Sequence, residues 1–165
     1  MNKPFLPYAH QSIDSSDIQA VVDSLKKDLI TRGSCVESFE KGVANFCEVE
    51  HAVAFSSGTA ALMAAYAASG MGPADRLIST PNTFVATIGA ACLRGANPVF
   101  VDIDSQTGNL NIEQVVINAE SSSTRGKTFL APVHFAGIAV DMKTLYEKTL
   151  RKNVTIIEDA AHAIG

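Results

Sequence analysis

No uninterrupted apolar run in this chain approaches the roughly 20 residues that a membrane-spanning helix needs. The first residues, M-N-K-P-F-L-P-Y-A-H-Q, contain no apolar core, which predicts no signal peptide. Basic residues are not in excess. The formal charge is −4, and a nucleic-acid partner would call for a basic face. Cysteine is scarce: Cys35, Cys47 and Cys92 are odd in number, widely spaced and without a C-x-x-C pair. That excludes a disulfide framework and a zinc site, and predicts buried thiols in a reducing cytosol. The P-loop spacing G-x-x-x-x-G-K-[ST] is missing, and no G-x-G-x-x-G follows a strand. No internal repeat, low-complexity segment or linker divides the chain. What remains is 165 residues, 47% hydrophobic and 18% charged, enough for one domain with a real core.

The pattern along the chain falls into two parts, residues 1–50 and 51–165. Pro4 and Pro7 make residues 1–13 an extended arm. Asp14 caps a predicted helix with Ile18, Val21, Val22 and Leu25 at helical spacing. After the turn Thr31-Arg32-Gly33, Ser34 caps a second, with Val36, Phe39, Val43 and Phe46 on one face. Both helices have polar backs and should lie on the outside. From His51 onward strands and helices alternate. Predicted strands are His51–Phe55, Arg76–Thr80, Pro98–Ile103, Thr128–Val133 and Val154–Ile157. Between them lie helices over Ala60–Ala68, Val85–Leu93, Ile112–Ala119 and Met142–Leu150, with a polar turn at Ser121–Gly126. The first of these is apolar nearly all round and should be buried on more than one side. The alternation predicts an α/β fold of three layers around a mostly parallel sheet.

Strand C-termini in such a sheet open onto the ligand crevice, so the residues there are the chemical candidates. Ser57-Gly58-Thr59 sits at a strand-to-helix junction. Free N–H groups and a close-approach glycine suit a phosphate there, although a plain N-capped helix would look the same. Phe84, in P-N-T-F, is either core or a stacking surface for a planar ring. His134, after Pro132-Val133, reads as a hydrogen-bonded supporting residue. Glu158 and Asp159 are neighbours on a strand and face opposite sides, which makes them a poor acid/base pair. One of them points at the crevice alone, where a buried carboxylate needs a cation. A protonated pyridine nitrogen would serve, as in pyridoxal phosphate (PLP) enzymes. The alternative is an Asp capping the turn, with His162 following three residues on.

Five ordered stretches together resemble a known family. They are S-S-G-T-A-A-L (Ser56 to Leu62), P-N-T-F-V-A-T (Pro81 to Thr87), P-V-F-V-D-I-D (Pro98 to Asp104), P-V-H-F-A-G (Pro132 to Gly137) and E-D-A-A-H-A-I-G (Glu158 to Gly165). The chain is similar to the DegT/StrS family of PLP-dependent nucleotide-sugar aminotransferases, and within it to the altrosamine transaminases of pseudaminic acid synthesis. The resemblance implies a fold-type I large domain, of which this chain is the N-terminal portion, with a small C-terminal domain beyond it. It implies that Gly58 and Thr59 hold the cofactor phosphate and that Phe84 stacks on the ring. Asp159 would pair with the ring nitrogen, and His162 would hydrogen-bond the ring hydroxyl. A cytoplasmic homodimer with shared active sites is implied, acting on glutamate and a UDP-sugar. The family lysine that carries the cofactor is expected a few dozen residues past Gly165. The alternatives are a sugar dehydratase, in which a histidine replaces that lysine, or an inactive fragment.

Overall fold

The computed structural model describes Phe5, Pro7 and residues 10–31, 33–120, 126–150 and 152–164. The chain divides into two compact units, Met1–Val53 and Ala54–Gly165. Most of the predicted arm, Arg32 of the first turn, most of the Ser121–Gly126 turn and Gly165 lie outside the described residues.

The first unit holds two helices, α1 (Ser15–Leu25) and α2 (Ser34–Phe46). Asp14 caps α1 through a full capping box, accepting from the Ser16 and Asp17 N–H groups while Asp17 returns a bond to the Asp14 N–H. The α2 cap is Gly33 and not the expected Ser34, which is already helical. The apolar faces of these helices stay open. No residue of α1 is buried, and Ala44 alone is buried in α2. The thiols of Cys35 and Cys47 are exposed for that reason. Cys92 is exposed too, beside the exposed Leu93, so none of the three is the buried thiol that sequence composition suggests.

The second unit is a three-layer α/β arrangement. Its elements are α3 (Gly58–Ala68), β1 (Arg76–Ser79), α4 (Val85–Leu93), β2 (Asn97–Phe100), α5 (Ile112–Glu120), β3 (Thr128–Leu130), a 3-10 turn (Phe135–Gly137), α6 (Met142–Thr149) and β4 (Val154–Ile156). The strands form one parallel sheet in the order β2-β1-β3-β4. Successive residues face opposite sides, so each central strand feeds two cores. Leu77 and Phe129 pack with Leu62, Tyr66, Ala86, Ala90 and Ala91 of α3 and α4. Ile78 and Leu130 pack with Val115, Ala119 and Leu145 of α5 and α6. The chain leaves β1 for β2 on one side and returns across it to β3 on the other, so the sheet has its topological switch between β1 and β3. Ligands of open α/β sheets bind outside the strand ends at that place.

Differences from the sequence reading have local causes. No strand forms over 51–55 among the described residues, and Val53 and Phe55 are exposed. β3 stops at Leu130 because Pro132 has no N–H to donate; the ladder resumes only as a single parallel bridge, Val133 to Asp159. β2 stops at Phe100 because its partner β1 has turned away at Pro81, after the Val101 N–H reaches the Ser79 carbonyl. Helix α3 buries one face, Leu62 and Tyr66, and leaves Met63 exposed, so its all-round apolar character is not matched by all-round burial.

Candidate functional site

The end of β4 delivers Glu158 and Asp159 to the crevice edge. The Asp159 N–H donates to the Pro132 carbonyl at 2.9 Å, and its carbonyl accepts the His134 N–H at 3.1 Å. This fixes the backbone, and the period of two then sends the two acids apart. Asp159 is buried at 8% exposure, whereas Glu158 is exposed.

The buried carboxylate is met by α4. The Thr87 hydroxyl donates to Asp159 Oδ2 at 2.5 Å, and the Ala161 N–H reaches Oδ1 at 3.3 Å. Thr87 itself is fully buried, and the Thr83 hydroxyl lies 2.7 Å from its oxygen. Helix α3 joins the same group, since the Tyr66 hydroxyl donates to the Thr87 carbonyl at 3.0 Å. Burial, and after it the charge of Asp159, push the Tyr66 phenol far above its usual range, so it acts as a donor and not as a base. Among the described residues Asp159 makes no ion pair.

On the other side of Asp159, His134 is buried with both ring nitrogens engaged. Nδ1 accepts the Val140 N–H at 3.0 Å, so the proton sits on Nε2, which donates to Glu158 at 2.9 Å. His134 therefore braces the loop after β3, in keeping with a supporting role. That loop is also tied to the segment after β2: Asn109 accepts the Phe135 N–H at 3.0 Å and donates to the Ile138 carbonyl at 2.9 Å.

Phe84 is the N-cap of α4. It is 72% exposed, and its carbonyl accepts the Thr87 N–H, so it sits one turn from the Asp159 contact. An exposed phenylalanine at a cap position is not core. Gly58 and Thr59 form the first turn of α3, whose cap Ser57 accepts the Ala60 N–H. The Gly58 and Thr59 N–H groups meet no acceptor among the described residues, and a Cβ built on Gly58 would meet nothing within 4 Å. His162 is exposed in the turn after Asp159, with its carbonyl against Gly137.

The structure thus links Asp159, Thr87 and Phe84 directly, and Tyr66 by one further bond. It shows no bond between Gly58, Thr59 or His162 and that group. Thr87, Thr83 and Tyr66 were not legible as site residues. The available signal was a threonine inside the apolar run V-A-T-I-G-A-A, since a hydroxyl in a buried helix needs a partner. Among the described residues no cluster of His, Cys, Asp or Glu could hold a metal, and no helix is long and apolar enough to cross a membrane.

The chain as a whole is similar to known proteins. A UDP-4-amino-4-deoxy-L-arabinose–oxoglutarate aminotransferase of Shewanella sediminis is 37% identical over 165 residues, covering 100% of this chain and 42% of that protein. The solved structure of Helicobacter pylori PseC, an aminotransferase involved in pseudaminic acid biosynthesis, superposes with a TM-score of 0.85 at 27% identity, covering 95% of this chain and 42% of its own. A putative sugar aminotransferase from Streptococcus pneumoniae, solved in its PLP form, gives 0.85 at 27% identity, covering 97% and 44%. The chain thus spans about two fifths of the length of the proteins it matches. Over that length its fold is the one found in these aminotransferases. Residues 11–165 match the DegT/DnrJ/EryC1/StrS aminotransferase family, and the chain belongs to that family.

Proposed function

We propose that this chain carries the cofactor-binding part of a PLP-dependent aminotransferase that moves an amino group from glutamate to C4 of a UDP-linked 4-keto-6-deoxy-N-acetylhexosamine. The observation that carries the reading is Asp159, a buried carboxylate with no cationic partner among the described residues, at the C-terminal end of β4, whose neighbour β3 borders the switch point. A buried acid of that kind calls for a positive group from a ligand.

The residues present fit PLP. The open first turn of α3 offers the Gly58 and Thr59 N–H groups and the Thr59 hydroxyl to a phosphate. Phe84 offers an exposed aromatic face to a planar ring. His162, exposed three residues after Asp159, is assigned to the ring hydroxyl. When bound, PLP supplies a protonated ring that takes up the electron pair released when a substrate carbon loses its proton. Asp159 keeps that ring nitrogen protonated by holding a negative charge against it. The N–H groups at the α3 terminus anchor the phosphate, and Phe84 limits tilting of the ring and shields one face from water. The Shewanella relative, whose name specifies a 4-amino sugar nucleotide and oxoglutarate, supports glutamate as the donor, and PseC supports a pseudaminic-acid precursor as the sugar. A homodimer is part of the same reading.

The test is Asp159→Asn in the full-length protein. Amination of the keto sugar should fall by about two orders of magnitude or more with the fold retained. Near-normal turnover would remove Asp159 from this role.

A further inference from the structure

The Thr83–Thr87–Asp159 chain has a direction that follows from counting protons. A hydroxyl owns a single proton. Thr87 gives its proton to Asp159 Oδ2 at 2.5 Å. In the 2.7 Å contact between the two threonines, Thr83 must then be the donor and Thr87 the acceptor. The Thr87 hydroxyl thereby commits its single proton to Asp159 and one lone pair to Thr83, inside a side chain that is fully buried. Its backbone is held by the Tyr66 bond to its own carbonyl.

The consequence falls on Asp159. Oδ2 is occupied by a short bond from an immobile donor, while Oδ1 has only the 3.3 Å contact from the Ala161 N–H. The carboxylate is therefore oriented with one oxygen tied down and the other lightly held. Resting on the assignment of Asp159 to the cofactor ring, we propose that Thr87 is the positioning residue for that carboxylate and that Thr83 positions Thr87. The two hydroxyls present Oδ1 to the ring nitrogen and keep Oδ2 from competing for it. Tyr66 does the same one bond further back, by fixing the backbone of Thr87.

The test compares Thr87→Val, Thr87→Ser, Thr83→Val and Asp159→Asn in the full-length protein. Three readouts are needed: thermal midpoint of the apo form, dissociation constant for PLP, and kcat set against KM for the sugar. Valine keeps the shape of threonine and removes the hydroxyl; serine keeps the hydroxyl. Thr87→Val should weaken PLP binding or lower kcat by about tenfold or more, with KM for the sugar little changed, because it removes a bond to a charged acceptor. Thr87→Ser should recover most of that loss, and Thr83→Val should fall between. Equal losses in the valine and serine variants would overturn the proposal, since packing alone would then explain them. So would wild-type behaviour of Thr87→Val alongside an impaired Asp159→Asn; in that case the Asp159 assignment stands and the hydroxyl chain fails. An unimpaired Asp159→Asn would overturn both. Thr83→Val, at a half-buried position, provides the same comparison if Thr87→Val does not fold.

Discussion

His134 and Glu158 meet at 2.9 Å, with the imidazole buried and the carboxylate half exposed. Because Nδ1 accepts the Val140 N–H, the ring donates to Glu158 through Nε2. The pair pins the outward-facing acid and so secures the strand position that turns Asp159 inward. His134→Ala should cost about 2–3 kcal/mol, since it strands a buried N–H and removes a bond to a charged group. Glu158→Gln keeps an acceptor and should cost about 1 kcal/mol or less. Urea unfolding of the two variants checks this, and equal costs would count against the bond.

Gly58 separates folding from binding. A Cβ there meets nothing within 4 Å, so Gly58→Ala should leave the apo protein as stable as before, or firmer by up to about 1 kcal/mol from helix propensity. The same methyl group would stand where a phosphate approaches the backbone. PLP affinity should therefore drop while the melting point does not. A loss of both, or of neither, would remove the phosphate assignment from this turn.

Tyr66 predicts an alkaline response. Its phenol is raised by burial and by the charge of Asp159, so the folded chain holds this proton more tightly than the unfolded one. The associated stability is fully present below the unfolded value of about 10 and is lost as pH rises toward the folded value. Stability should fall with increasing pH above about 10. Tyr66→Phe should flatten that fall, at a cost near 1 kcal/mol at neutral pH from the lost bond to the Thr87 carbonyl. Denaturation curves across the alkaline range provide the measurement.

Cys35 should be the most reactive thiol of the chain. The Lys27 ammonium at 3.0 Å and the Ser24 hydroxyl at 3.3 Å hold its thiol below the ordinary range. Alkylation at neutral pH should label Cys35 ahead of Cys47 and Cys92, and Lys27→Gln should slow it. Equal labelling of all three cysteines would show that the lysine does not activate the thiol.

Much of this architecture was legible in the residues because it depends on period and caps. The Val85–Leu93 helix, the Asp14 cap and the opposite facing of Glu158 and Asp159 all follow from local spacing. What was not legible depends on partners distant in sequence. Whether His51–Phe55 forms a strand depends on pairing with residues distant in sequence, which strand-like side chains alone do not set. Exposure of the cysteines depends on which helix faces are covered. Thr87 finds Asp159 across 72 residues, and a single threonine in an apolar helix gives no hint of which acid it will meet.

The most direct test of the central claim is a crystal structure of the full-length protein with PLP. The account predicts the ring nitrogen within about 2.7–3.2 Å of Asp159, the phosphate on the Gly58–Thr59 turn and Phe84 against the ring. A ring nitrogen facing any other group, with Asp159 still bonded only to Thr87 and Ala161, would contradict it.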